Sequence, residues 1–310
     1  MQLSQKDLLG IQTLTRDEIN LILDTAETMK WVLSATSKKT AHLQGKSIIT
    51  LFYENSTRTR LSFEMAAKYM GGASANVSSV GSSVNKGESL IDTARTIDRM
   101  GTDIIIIRHP QSGAPHLIAP YVRASVINAG DGMNEHPTQA LLDLFTMREK
   151  KGSLQGLRVA IVGDLMHSRV ARSNLWGLIK MGAEVRFAAP PTLVPPGFDR
   201  LGAILCPDVK EAVRDADVVM GLRIQLERMQ KALFPSIDEY ARFFSLDEAT
   251  LSLAKPDAII MHPGPCIHGV EIPTQVYESD QSVIQEQVTN GVAVRMAIMY
   301  LLISRRNIDL

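Results

Sequence analysis

Ser47-Ile48-Ile49-Thr50-Leu51-Phe52-Tyr53-Glu54-Asn55-Ser56-Thr57-Arg58-Thr59-Arg60 opens as an apolar run and closes on hydroxyls and guanidiniums. The run through Phe52 has the length and β-branched content of a buried strand. Leu61 to Met70 has the pattern of a helix, and Gly71-Gly72 closes it. The hydroxyls and arginines therefore fall where a strand turns into a helix. The first backbone N–H groups of a helix have no partner within it, and its dipole favours negative charge there. Hydroxyls add neutral donors, and arginine adds a planar fork that matches phosphate oxygens. A plain helix cap would account for one hydroxyl and no arginine. The stretch predicts an anion site on an α/β fold.

Upstream, Thr15 and Glu18 form a capping box ahead of a helix whose apolar face is Ile19, Leu21, Ile22, Ala26 and Met29. Downstream, a short strand near Ala75-Asn76-Val77 leads into the small, polar loop Ser78–Gly87, whose plain reading is a surface connection. Glu88 to Met100 reads as a helix. Asp103 to Ile107 and Ser125 to Asn128 read as strands, ending in Arg108-His109-Pro110 and in Gly130–Gln139. Pro137 suits the first turn of the next helix. In an open α/β sheet, ligands bind beyond the carboxyl ends of the strands. Ser56–Arg60, Arg108 and His136 would then share a crevice, although a histidine such as His136, taken alone, is more often structural than catalytic.

Lys150-Lys151-Gly152-Ser153-Leu154-Gln155-Gly156 reads as a domain boundary. After it, strands at Arg158–Val162, Glu184–Ala188, Ala216–Met220 and Ala258–Met261 alternate with helices. The expectation is two doubly wound α/β domains, each with a mainly parallel sheet flanked by helices. Residues 1–150 form the first and residues 151–282 the second. The broadly apolar helix 283–305 packs back on the first.

The chain has 310 residues, 45% hydrophobic and 21% charged, with Lys+Arg and Asp+Glu both 33. A net charge of zero gives no global attraction for nucleic acid or a membrane surface, so any anion must be held by local arginines. Met1 to Asp7 lacks a signal-peptide apolar segment, and no apolar run is read as long enough to span a bilayer. Cys206 and Cys266 have no metal-ligand spacing, and so few cysteines suit a reducing cytoplasm. Gly163-Asp164-Leu165-Met166-His167-Ser168-Arg169 follows a strand but lacks the glycines of a dinucleotide site, and there is no phosphate-loop motif. The seven histidines are scattered. The reading is no cofactor and no metal.

Ser56-Thr57-Arg58-Thr59-Arg60, Arg108-His109-Pro110 and His136-Pro137-Thr138-Gln139 together resemble the aspartate/ornithine transcarbamoylases, in the family's order and over nearly the whole chain. Phe52-Tyr53-Glu54-Asn55, Lys86-Gly87-Glu88, Arg223-Ile224-Gln225-Leu226-Glu227-Arg228 and His262-Pro263-Gly264-Pro265 resemble the aspartate-type members. The ornithine-type H-C-L-P and S-M-G motifs are absent from the sequence. One departure stands out. Related bacterial chains usually read M-N-R-G after the H-P-G-P motif, and this chain has Cys266-Ile267-His268-Gly269.

The resemblance implies transfer of the carbamoyl group of carbamoyl phosphate to the α-amine of L-aspartate, in de novo pyrimidine synthesis, with no metal and no covalent intermediate. Ser56, Thr57, Arg58, Thr59 and Arg108 would hold the phosphate. Arg108, Thr59 and His136 would donate to the carbamoyl oxygen, and Gln139 would contact the carbamoyl amino group. Arg58, Thr59, Arg108 and His136 are thus the expected catalytic residues. Arg169, Arg223 and Gln225 would bind aspartate together with Lys86, and Ser82 and Lys86 would come from a neighbouring chain of a homotrimer. Glu54 would link to Arg169 and Arg228 on closure, and the backbone of Pro263, Gly264 and Pro265 would complete the site. A regulatory chain or a dihydroorotase is a conceivable further partner. Two alternatives remain open at this stage: a transcarbamoylase for another amino acid, and a noncatalytic homologue serving as an assembly subunit.

Overall fold

The structure, a computed structural model, describes residues 2–78, 87–228 and 233–306. It divides into two compact units. The first runs to Leu142 and resumes at Thr289, and the second is Asp143–Val288.

The first unit begins with α1 (Arg16–Ser34), closed at its start by the predicted capping box. Then come β1 (Ser47–Phe52), α2 (Thr57–Tyr69), β2 (Ala73–Ser78), α3 (Leu90–Arg99), β3 (Ile104–His109), α4 (Ala114–Ile118), β4 (Ser125–Asp131) and α5 (Pro137–Lys151), which runs on into the second unit. All strand pairs are parallel, in the order β2-β1-β3-β4. Ile104 to Ile107 are fully buried, as a strand covered on both faces requires. One side of this sheet packs Leu51, Ile105, Ile107 and Val126 against Ala94 and Ile97 of α3 and Ile118 of α4.

The second unit holds β5 (Arg158–Val162), α6 (Arg169–Met181), β6 (Glu184–Ala188), β7 (Ile204–Leu205), α7 (Val209–Val213) and β8 (Val218–Gly221). It continues through α8 (Ile237–Phe244), α9 (Glu248–Leu251), β9 (Ile259–Met261), α10 (Thr274–Tyr277) and the start of α11 (Ile284–Arg306). Its parallel order is β7-β6-β5-β8-β9. The two-residue edge strand β7 carries no sequence signal, because Ile204 and Leu205 are exposed and alternate with nothing.

Two sequence expectations need correction. The helix read as beginning at Leu61 begins at Thr57, so Thr57 to Arg60 form its first turn and not the preceding loop. β-branched Thr57 and Thr59 are weak helix formers, but α2 is held by burial of Phe63, Ala66 and Ala67. Truncating the fully buried Phe63 would cost about 3–5 kcal/mol. The second correction concerns α11. Ile284–Arg305 is long and apolar enough to cross a membrane by length and composition, with 72% of that window buried inside the fold. That burial is what a core helix shows. Its later turns belong to the first unit: Arg295 Nη1 donates to Ser62 Oγ at 2.9 Å, its guanidinium lies 5.0 Å from the Phe63 ring centre, and Tyr300 meets His42 edge-on.

Candidate active site

Each sheet changes winding direction once. In the first, β1 is followed by β2 on one side, while β3 lies on the other; in the second, β5 and β8 flank the corresponding point. Crevices form at the carboxyl ends of such strand pairs. Among the described residues, the predicted site residues follow the carboxyl ends of these strands or of their neighbours β4 and β9.

At the first switch point, β1 leads through Glu54 and Ser56 into α2, and β3 closes on Arg108-His109. Phe52 and Arg108 are register partners, so the two chain ends are adjacent. Ser56 occupies the N-cap position of α2 in extended backbone, yet its side chain makes no capping hydrogen bond. The contrast is sharp, because Thr15, Ser89, Ser168, Asp208, Ser236 and Asp247 all cap their helices with side-chain oxygens. At α2 the Ser56 side chain satisfies none of the leading N–H groups. Arg58 is exposed, whereas Thr59 lies on the buried face with Phe63.

Arg108 is nearly buried. Its Nη1 donates to Ala129 O at 3.3 Å and its Nη2 lies 3.5 Å from Glu54 Oε1. The carboxylate turns the guanidinium toward the end of β1. Neighbouring His109 accepts from Gln111 N–H at Nδ1, and burial lowers its pKa below the ordinary histidine value.

His136 and Gln139 are buried at the start of α5, where the His136 carbonyl accepts from the Gln139 and Ala140 amides. The loop before them is built on Asp131, a fully buried carboxylate that the sequence reading did not single out. It accepts from Gly113 N at 2.7 Å, Asn128 Nδ2 at 2.8 Å, Asn134 Nδ2 at 3.0 Å and Glu135 N at 3.1 Å. Gly132 follows with φ +49°, and a Cβ there would lie 2.7 Å from the Ser112 amide nitrogen. Gly130-Asp131-Gly132 was the available signal: a carboxylate between two glycines marks a tight turn with donors converging on it. Glu135 in turn accepts from Ile11 N at 2.8 Å and so ties the loop to the N-terminal segment.

At the second switch point, β5 leads through Gly163-Asp164 to Arg169, the buried first residue of α6. β8 ends at Gly221 and leads to Arg223 and Gln225, both partly buried. Asp164, fully buried, holds these segments together. It binds His167 Nδ1 at 3.0 Å and accepts from the Gln225 amide at 3.2 Å, while Arg228 Nη1 donates to the His167 carbonyl at 3.0 Å. β9 ends at His262-Pro263-Gly264-Pro265, with a cis bond between Gly264 and Pro265.

Glu271 also escaped the sequence reading, since Val270-Glu271-Ile272 looks like a solvated charge on an exposed segment. It is buried, and its two oxygens accept from Ile224 N at 3.0 Å and Ile267 N at 2.5 Å. One carboxylate thus fixes both the Arg223–Gln225 segment and the loop after the H-P-G-P motif. Burial and Glu271 push the Cys266 thiol up to about 12. His268, which stands in the departure from the family pattern, packs edge-on against Tyr277.

Ser56, Thr57, Arg58, Thr59, Arg108, His136, Gln139 and Glu54 are thus gathered in the first unit, and Arg169, Arg223, Gln225, Arg228 and Pro263–Pro265 in the second. Ser82 and Lys86 lie outside the described residues.

The family model for the carbamoyl-phosphate-binding domain of aspartate/ornithine carbamoyltransferases matches residues 6–149, and the model for the Asp/Orn-binding domain matches residues 155–302. The aspartate carbamoyltransferase catalytic subunit of Ruminiclostridium cellulolyticum is 66% identical over 305 residues, covering 98% of this chain and 97% of that protein. The corresponding subunit of Acetivibrio thermocellus is 65% identical over the same span, with 98% of each chain covered. Among solved structures, aspartate transcarbamoylase from Trypanosoma cruzi in complex with N-(phosphonacetyl)-L-aspartic acid superposes with a TM-score of 0.87 at 31% identity, covering 95% of this chain and 94% of that one. Ornithine carbamoyltransferase from Pyrococcus furiosus gives 0.86 at 31% identity, with 97% and 98% covered. The backbone alone therefore does not separate the aspartate from the ornithine enzymes.

Proposed function

Because the chain belongs to the aspartate/ornithine carbamoyltransferase family, we propose that it transfers the carbamoyl group of carbamoyl phosphate to the α-amine of L-aspartate. The products are N-carbamoyl-L-aspartate and phosphate, a step of de novo pyrimidine synthesis. The observation that carries the reading is the uncapped, hydroxyl-rich start of α2 beside Arg108. That arrangement suits a phosphate, and Arg169, Arg223 and Gln225 at the other switch point suit a dicarboxylate. Aspartate is favoured over ornithine by the absence of the ornithine-type motifs and by the names of the relatives at 66% and 65% identity.

In this mechanism the neutral α-amine attacks the carbamoyl carbon. Charge grows on the carbonyl oxygen and is met by Arg108, Thr59 and His136, donors that need little reorganisation. Gln139 orients the carbamoyl amino group. Phosphate leaves against Ser56, Thr57 and Arg58, and either it or neutral His136 takes the amine proton. Much of the acceleration comes from holding two substrates in register.

Purified protein supplied with carbamoyl phosphate should release phosphate with L-aspartate and not with L-ornithine. Turnover with another amine only would overturn the assignment.

The working species is a cytoplasmic homotrimer in which Ser82 and Lys86 of one chain serve the site of the next, with or without a regulatory chain or dihydroorotase. The resemblance in the Lys86-Gly87-Glu88 loop and the two unpaired cysteines support this reading. Mixing inactive Arg58→Ala and Lys86→Ala chains should restore part of the activity. No recovery after verified subunit exchange would overturn the shared site.

A further inference from the structure

His262, Cys266 and Glu271 form a cluster within the second unit whose potential ligand atoms all lie within 4.8 Å of one another. We propose that this cluster is an inhibitory binding site for a borderline-soft divalent cation of the Zn²⁺ type. An imidazole, a thiolate and a carboxylate are the donor types such an ion takes, and three protein ligands leave a fourth position for water.

The geometry fits with small movement. Ligand atoms around a tetrahedral zinc lie about 3.3–3.6 Å apart, from bond lengths of roughly 2.0–2.3 Å. His262 Nε2 is already 3.6 Å from Glu271 Oε2, too far for a hydrogen bond and close to the separation of two zinc ligands. Nε2 is buried and has no hydrogen-bond partner, an exception among buried polar atoms. Cys266 Sγ must approach by at most about 1.3 Å to reach the same separation. Cys266 is only partly buried, which leaves the ion a way in.

Binding would carry a structural consequence. Gly264 N–H donates to His262 Nδ1 at 2.9 Å, so the neutral ring carries its proton on Nε2. To ligate through Nε2 the ring must move that proton to Nδ1, and the Gly264 hydrogen bond is lost. The thiol proton leaves to solvent. Glu271 Oε2, which accepts from Ile267 N, turns toward the ion, while Oε1 still carries Ile224 N. The cation therefore acts on the loop after β9, which holds the Pro263–Pro265 backbone expected to complete the site, through the same carboxylate that anchors the Arg223–Gln225 segment. Inhibition rests on the proposed function; binding does not.

Cobalt(II) added to the intact assembly is the probe, since a thiolate ligand gives it a near-ultraviolet charge-transfer band. The expected result is one such site per chain, with the band lost in Cys266→Ser and in Cys266→Ala and kept in Cys206→Ser. Zn²⁺ should compete for it and reversibly inhibit carbamoyl transfer to aspartate. Cys266→Ser should raise the half-inhibitory concentration at least about tenfold, the lower end of what losing even an outer partner costs. No band in the native chain, or a band that survives Cys266→Ser, would overturn the site. A band without inhibition in an active enzyme would overturn the inhibitory role. A chain inactive with aspartate would refute the functional reading while the spectroscopic test still stood.

Discussion

Asp131→Asn is the substitution on which the account of the first half-site depends. The native carboxylate is fully buried and offers two acceptor oxygens to donors from Gly113, Asn128, Asn134 and Glu135. Asparagine keeps one oxygen and replaces the other with a donor. If the new amide nitrogen takes the Oδ2 position, it faces the Gly113 amide, whose 2.7 Å bond is lost. If it takes Oδ1, the Asn128 amide and the Glu135 N–H lose their acceptor. Either way at least one backbone donor and the new amide are buried without a partner. At about 1–3 kcal/mol for each unsatisfied group, the cost is roughly 2–6 kcal/mol, a large share of the stability of an ordinary domain. Urea unfolding should show the midpoint falling accordingly, and the amides of Gly113 and Glu135 should lose hydrogen-exchange protection first. The loop carries His136, so turnover should fall even where the protein remains folded. A stability loss under about 1 kcal/mol with both amides still protected would refute the idea that Asp131 builds this loop.

Arg58→Ala removes an exposed guanidinium and should leave the melting temperature nearly unchanged while turnover drops by about 10²–10³; near-normal turnover would remove Arg58 from the mechanism. Gly163→Ala should destabilise the second unit and raise the KM for aspartate, because Gly163 has φ +138° and a Cβ there would meet the carbonyl of Leu222 at 2.6 Å, just before Arg223; strain of this kind costs about 1–3 kcal/mol, and an unchanged melting temperature would contradict it. Glu18→Gln tests the capping box. Burial works to raise the Glu18 pKa, but hydrogen bonds from the Ser4 and Thr15 side chains and amides outweigh it and hold it below the usual glutamate value. Its stabilisation is therefore present above the unfolded glutamate pKa and lost as pH falls through the lower folded value. The variant should be less stable by about 0.5–2 kcal/mol at neutral pH, with the gap to the native chain closing in acid; a gap that is the same at all pH values would rule out an ionic contribution.

What could be read from the sequence was local. The isoleucine run of β3 had to be a central strand, and Thr15 with Glu18 had to open a helix. The spacing of Ser56 to Arg60, Arg108 and His136 carried the first half-site, because each sits within a few residues of a strand end. Asp131, Asp164 and Glu271 were harder to see. Their partners are backbone N–H groups, which every residue has, brought in from segments distant in sequence. Asp131 at least stood between glycines; Glu271 had no such mark. The start of α2 was misplaced because its threonines argue against helix and only the burial of Phe63 overrides them. The proximity of His262, Cys266 and Glu271 depends on how the loop after β9 folds back, which no ligand-spacing rule describes.

The bare Ser56 hydroxyl at the head of α2 has a thermodynamic corollary. Every helix start that a side chain caps is finished as soon as the chain folds, but on the proposed function α2, whose Ser56 makes no side-chain cap, is finished only when an anion arrives. Binding and local folding are then one equilibrium, and the ligand contributes RT ln(1 + [L]/Kd) to the stability of the region it completes. At a hundredfold excess over its dissociation constant that amounts to about 2.7 kcal/mol. The first turn of α2 would breathe in the free protein and quieten in proportion to the logarithm of substrate concentration, making the helix a gauge of how much carbamoyl phosphate the protein holds.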